Sequence, residues 1–154
     1  MTWDDFIKAA REISWITYLA TTGKDGKPHV APVSVGFTEG TVWFASRRPS
    51  RKIRNLSANP FVAFHWPVGT GSGPGELFAR GTSVVHIAED DRHRLWSGLD
   101  FAYDLAMFFQ SPDNPDLAFV EVAITHASLL GPDFARSIWR PPAGSADNAS
   151  VNRA

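Results

Sequence analysis

The sequence predicts a mainly β protein with some α-helix: an antiparallel β-barrel of six or seven strands with peripheral helices. Three observations carry that expectation. Short runs rich in β-branched and aromatic residues recur along the chain, each bounded by Gly, Pro, Asn or Asp. Several of these runs follow one another through turn-length connections, which suits an antiparallel meander. Only two or three segments carry helical periodicity, and no internal repeat is visible.

In chain order, Thr2 followed by Asp5 reads as a capping box, with Asp in place of the usual Glu. Trp3, Phe6, Ile7 and Ala10 then share one face, predicting a short amphipathic helix over 3–12. The run from Trp15 to Thr22 predicts a strand. Asp25-Gly26 after it predicts a type I′ hairpin turn, because that turn needs positive φ at both central residues. A second strand is expected from Pro28 to Phe37. It turns at Thr38-Glu39-Gly40 into a third, Val42 to Ser46.

A helix is expected over 50–58, ended by Asn59-Pro60, and a fourth strand from Phe61 to Trp66. Residues 67–75 carry four glycines, but no Lys-Ser/Thr follows and no helix opens there. They read as a hairpin or flap, not a nucleotide loop. Glu76 to Ile87 predicts a long strand, with Gly81 as a bulge or close-approach point. Glu89-Asp90-Asp91 opens a helix, where acidic residues suit the dipole. Phe101 to Phe109 predicts an almost wholly apolar helix, buried against a partner subunit. Leu117 to Thr125 alternates as a half-buried strand, and Ala127 to Gly131 predicts one more short strand. Residues 1–140 are expected to form one domain, and 141–154, rich in Pro, Ala, Gly, Ser, Asp and Asn, a disordered tail.

Hydrophobic residues make up 44% and charged residues 20%, ordinary for a soluble globular domain. The formal net charge is −1, so no global field draws in nucleic acid or an anionic membrane. With no cysteine, a disulfide framework, a thiolate nucleophile and a Cys-based zinc site are excluded. No apolar run approaches the roughly 20 residues of a membrane span. Met-Thr-Trp-Asp-Asp lacks the basic start of a signal peptide, so the chain reads as cytoplasmic.

The stretch Val42 to Pro60 carries the chemistry. Arg47, Arg48, Arg51, Lys52 and Arg54 put five of the fifteen Lys and Arg into eight residues. A strand that delivers the chain to a cation-decorated helix N-terminus makes an anion site, because exposed amides and the helix dipole both favour negative charge. A phosphate is expected there. A solvated face or a nucleic-acid patch is the competing reading, but no second basic patch supports a groove. His29, His65, His86, His93 and His126 are scattered without zinc spacing, and no metal is expected. Trp43 and Phe44 read as barrel core rather than a stacking platform.

Phe44-Ala45-Ser46, Ser50-Arg51-Lys52, Asn55-Leu56 and Asn59-Pro60-Phe61-Val62, in this order and spacing, resemble the flavin-binding split-barrel superfamily typified by pyridoxamine 5′-phosphate oxidase. Leu19-Ala20-Thr21 with Asp25-Gly26-Lys27-Pro28-His29 resembles its first hairpin. Leu95-Trp96 through Phe109 and Asp113-Asn114-Pro115-Asp116 resemble the subgroup called general stress protein 26. The resemblance implies a split barrel and a homodimer holding two FMN molecules in clefts at the subunit interface. It implies that Ser46, with Ala45 beside it, and Ser50, Arg51 and Lys52 hold the phosphate. Lys52 would act as a point charge and Arg51 as a bidentate fork. Pro32, Val33 and Ser34 would run beside the ring, Glu76 falls near a position where Gln reaches the flavin, and Trp139-Arg140 matches a C-terminal pair near the cofactor.

The departures narrow what the resemblance implies. Ala31 and Gly36 stand where true pyridoxamine phosphate oxidases carry an Arg and a Lys, so vitamin B6 oxidase activity is not expected. The expected activity is an oxidoreductase moving hydride or electrons to a small planar substrate, with the cofactor carrying the reaction. Two alternatives keep the fold. One is a reductase using the deazaflavin coenzyme F-420, whose longer acidic tail the Gly36 gap and Arg47-Arg48 would suit. The other is a flavin-binding stress module without turnover.

Overall fold

A computed structural model of the chain describes residues 1–66 and 75–143. The Gly-rich loop up to residue 74 and the tail from residue 144 lie outside the described residues. The elements in order are α1 (Trp3–Ile13), β1 (Ile16–Thr22), β2 (Pro28–Ser34), β3 (Gly36–Thr38), β4 (Thr41–Arg47), α2 (Arg51–Ala58), β5 (Phe61–Trp66), β6 (Glu76–His86), α3 (Glu89–Gly98), α4 (Ala106–Phe109), β7 (Leu117–Leu130) and β8 (Arg136–Trp139).

Among the described residues, all eight strands belong to one antiparallel sheet, ordered β2-β1-β5-β6-β7-β4-β3, with β8 on β7. The strand expected from Pro28 to Phe37 is in fact two. Val35 alone separates β2 from β3, yet these strands lie at opposite ends of the sheet order. Two ends joined by one residue must meet, so the sheet rolls into a barrel. No ladder joins β2 to β3 or β4 among the described residues, and the barrel is therefore split along that seam. Pro28 and Pro32 on β2 suit an edge, since proline has no N–H to give a second neighbour.

The interior is packed with Leu19, Phe44, Phe64, Trp66, Leu77, Val120 and Val122, all essentially without exposure. α1 closes onto this core with Trp3, Phe6, Ala9 and Ala10. Its capping box forms as the sequence predicts: Asp5 N–H donates to Thr2 Oγ1 at 3.1 Å, and Thr2 N–H to Asp5 Oδ2 at 2.7 Å. Phe6 meets Trp66 edge-on at 5.4 Å. A second, smaller cluster lies on the outer face of β4 and β7. There Trp43, Leu117 and Phe119 pack against Leu95 of α3 and Leu105 and Phe109 of the α4 region. Trp43 and Phe44 are thus both core residues, but of different cores.

Four local expectations change. The β1–β2 connection is a five-residue loop in which Gly26 N–H bonds Gly23 O, so the turn is centred on Lys24-Asp25, and of the expected central pair Asp25-Gly26 only Gly26 has positive φ (+71°). It is not type I′, because the longer loop lets Asp25 keep an ordinary conformation. The segment 101–109 is helical only at Ala106–Phe109; on the single chain Leu105 and Phe109 are buried while Met107 and Phe108 are exposed. Ala127–Leu130 continues β7 instead of forming its own strand. Finally, β8 was not expected. The bulge is where Gly81 predicts it: Arg80 pairs His126 while Gly81 pairs Ile124, so Thr125 is the extra residue. A Cβ on Gly81 would drive into the Ala123 carbonyl oxygen, so close backbone approach explains the glycine.

Candidate functional site

The seam between β2 and β4 opens as a cleft of about 330 Å³. Its floor and first wall are Pro32, Val33 and Ser34 from β2 and Ala45, Ser46 and Arg47 from β4, with Lys52 of α2 at one end. The barrel thus brings together six of the residues expected at a cofactor site. The opposite wall is Trp15, Ile16, Tyr103, Phe108 and Phe109, none of which the motif reading singled out. For Tyr103, Phe108 and Phe109 the sequence signal is the density of rings between Phe101 and Phe109.

The cation end is built by the start of α2. Ser50 caps the helix, its Oγ accepting from Ile53 N–H at 3.4 Å, while Arg54 N–H bonds Ser50 O. The amides of Arg51 and Lys52 are left without an intrahelical acceptor. Ser46 Oγ, at the end of β4, lies 3.1 Å from Ser50 Oγ. Asn55 fixes the helix to the barrel, donating from Nδ2 to Thr21 Oγ1 at 3.0 Å in a buried contact. Burial lowers the pKa of the Lys52 ammonium, as befits a cation short of water with no carboxylate bonded to it.

The remaining cations divide. The Arg51 side chain is exposed and lines a neighbouring hollow with Gly23, Lys24 and Asp25, so it does not reach into the cleft. Arg47 pairs with Asp116 at 3.1 Å, Arg48 donates to Pro115 O, and Arg54 to Pro49 O at 2.6 Å. These three therefore hold turns. Gly36 is no gap either: a Cβ there would sit 2.7 Å from Asp100 O and 3.4 Å from the Phe101 ring.

Three expected residues lie elsewhere in this chain. Glu76 faces Arg136 at 3.7 Å. Trp139 is buried against Trp3, ring centroids 4.7 Å apart, and Arg140 beside it is exposed. None of them lines the cleft.

The polar groups of the cleft wall fit a polar-edged planar ligand. Ser34 Oγ is buried and has no hydrogen-bond partner. As a sheet edge, β2 also leaves backbone groups unpaired on the seam side. Burial pushes the Tyr103 hydroxyl up to about 12, so it stays a neutral phenol. His29 Nδ1, on the same strand, is also buried and unpartnered. Desolvation, then the charges of Arg51 and Lys52, lower its pKa.

Two other histidines are already engaged. His86 bonds Glu121 at 2.9 Å and faces Asp91 at 3.6 Å. His93 bonds Asp113 at 2.8 Å, and with Glu89 these offer three ligand atoms within 4.8 Å of one another on an exposed surface. No helix of the described residues is long and apolar enough to cross a membrane.

Comparison with known proteins bears on this geometry. The family described as pyridoxamine 5′-phosphate oxidase matches residues 4–131. No curated protein sequence matches the chain. Among solved structures, a Clostridium acetobutylicum protein related to general stress protein 26 superposes with a TM-score of 0.70 at 15% identity, covering 91% of this chain and 96% of that one. A pyridoxamine 5′-phosphate oxidase-related, FMN-binding protein of Nostoc punctiforme gives 0.63 at 14% identity, over 90% and 93%. A structure named as an F420 reductase gives 0.56 at 21% identity, over 74% and 89%. At these identities the likeness is one of fold.

Proposed function

The chain belongs to the pyridoxamine 5′-phosphate oxidase family, and from that premise we propose that the β2–β4 cleft binds FMN and that the protein is an oxidoreductase acting on a small planar substrate. The observation that carries the reading is the cleft's polarity. One end gathers Ser46, Ser50 and a partly desolvated Lys52, and the rest is mostly apolar and aromatic, with Ser34 as a polar group on the β2 wall. A phosphate monoester joined to a planar ring has the same two-part character.

Each residue then has a defined task. The Ser46 and Ser50 hydroxyls and the Arg51 and Lys52 amides donate to phosphate oxygens, and Lys52 adds a point charge. Arg51 contributes its amide and a longer-range field. Pro32 and Val33 give the ring an apolar floor, and Ser34 Oγ supplies a hydrogen bond at its polar edge. Tyr103 and Phe108, 5.2 Å apart and edge-to-face, wall off water. When bound, the flavin would supply the hydride or electron transfer, and no side chain of this cleft is proposed as a nucleophile.

A homodimer is proposed with this reading. Across the outer face, Pro32, Tyr18, His65, Phe78, Ser128 and Ile138 form one cross-strand row over six strands. Tyr18 and Ile138 stay nearly half exposed there, and Val30 more so, an apolar face suited to a second copy. Glu76, Trp139 and Arg140 do not line the cleft of their own chain, and a role for them at a cofactor would have to come across that interface.

The deazaflavin reading loses the space expected at Gly36, which Asp100 fills, and Arg48 holds the 115–116 turn, while Arg47 still lines the cleft beside its contact with Asp116. Mass spectrometry of the small molecule released on denaturation tests the assignment. FMN is expected, with absorbance of the native protein near about 450 nm against about 420 nm for the deazaflavin. Failure to bind added FMN would remove the proposal.

A further inference from the structure

We propose that His29 is a proton-linked reader of anion binding at the α2 end of the cleft: a phosphate entering the Ser46–Ser50–Lys52 cradle draws one proton from solvent onto the His29 ring. The inference rests on the reading of the cleft as a phosphate site and goes beyond it. It adds a titratable residue that the phosphate motif does not contain.

Geometry places His29 on the face of β2 that α2 covers. On the sheet it is the cross-strand partner of Thr21. Thr21 Oγ1 is held by Asn55 of α2, one helical turn beyond Arg51. The ring is therefore on the side of β2 that α2 covers, and its Nδ1 is shut away from water with no partner. Such a nitrogen is costly to leave unpaired unless something occupies its surroundings in the working state.

The charges around it are one-sided. From α2 the facing groups are Arg51 and Lys52, both cationic. From β1 the neighbour is the uncharged Thr21. No carboxylate acts on His29 among the described residues, in contrast to His86 with Glu121 and His93 with Asp113. Without an anion, desolvation and the two cations hold the ring neutral at pH 7. A phosphate dianion offsets those cations and favours the imidazolium, so the pKa must rise on binding. By reciprocity, the His29 contribution to affinity for the dianion must then increase as pH falls through the bound-state pKa of His29, alongside the dianion's own protonation.

The test is an NMR titration of the His29 ring in the full chain, with inorganic phosphate and with chloride at matched ionic strength. The His29→Gln variant identifies the resonance, and triple-resonance assignment of the wild type does so if that variant fails to fold. In chloride, His29 is expected to titrate below the ordinary histidine value of 6.5. In phosphate its titration shifts upward while that of His93 does not move. An identical titration in both salts overturns the proposal. FMN binding, followed separately by absorbance, keeps the two readings apart. If FMN binds and phosphate leaves His29 unmoved, the cofactor assignment stands and the proton linkage falls. If phosphate moves His29 and FMN does not bind, the linkage stands and FMN is the wrong ligand. If neither occurs, both fall.

Discussion

Ser46 Oγ and Ser50 Oγ lie 3.1 Å apart, one ending a strand of the barrel and the other capping the helix that follows. Three residues between them turn the chain from β4 into α2, held by Arg48 N–H to Asp116 O at 2.7 Å and Ser50 N–H to Arg47 O at 3.0 Å. The two hydroxyls, two open amides and Lys52 therefore converge because of a short, tied turn. Four predictions follow from this and three other contacts.

Lys52→Ala is expected to weaken FMN binding by about 1.5–3 kcal/mol, the worth of a charge-assisted hydrogen bond. Burial lowers the Lys52 pKa, so wild-type affinity should also begin to fall at a lower pH than an exposed lysine would give. Isothermal titration at several pH values measures both. An unchanged affinity removes Lys52 from the site.

Asn55→Leu should cost roughly 1–3 kcal/mol of stability, because Thr21 Oγ1 loses its buried donor. It should also loosen α2 on the barrel, and FMN affinity should drop although Asn55 does not line the cleft. Urea unfolding and FMN titration on the same variant check the pair of effects.

Gly81→Ala should destabilise the fold by about 1–3 kcal/mol, since the new methyl meets the Ala123 carbonyl across the bulge and neither backbone can swing away. The midpoint of urea unfolding should fall. A midpoint equal to the wild type would mean that the strands separate freely there.

His86 should make stability depend on pH. Its hydrogen bond to Glu121, opposed in part by burial and aided by the charges of Glu121 and Asp91, raises its pKa above the ordinary 6.5. The protonated ring is therefore favoured in the folded chain. Its contribution is complete below pH 6.5 and is lost as pH rises through the folded-state value. The stability gap between wild type and His86→Gln should shrink as pH rises from the ordinary 6.5 through the raised folded-state value. A gap that is constant over that range would show that the contact with Glu121 is neutral.

Much of the fold was legible locally. The capping box of α1, the β5 boundaries and the glycine of the bulge each follow from a few neighbouring residues. So does the gathering of Ser46, Ser50 and Lys52, because they lie within seven positions. What was not legible depended on distant partners. Phe101–Phe109 is apolar enough for a buried helix, yet Leu105 and Phe109 pack on Phe119 and Leu117 of the sheet while Met107 and Phe108 stay outside. The cations of the basic run looked alike in sequence, and only Asp116 and the Pro115 and Pro49 carbonyls distinguish Arg47, Arg48 and Arg54 from Lys52.

By itself, the sequence determined the antiparallel β class and the capped, cation-rich start of α2, since both rest on local pattern: strand alternation, turn residues and a capped N-terminus. Only the tertiary structure decided where the cleft lies. One residue, Val35, sends β2 and β3 to opposite ends of the sheet, and the unpaired seam this leaves between β2 and β4 is the cleft. Strand order is set by which faces can be buried together. No short stretch of residues contains that information.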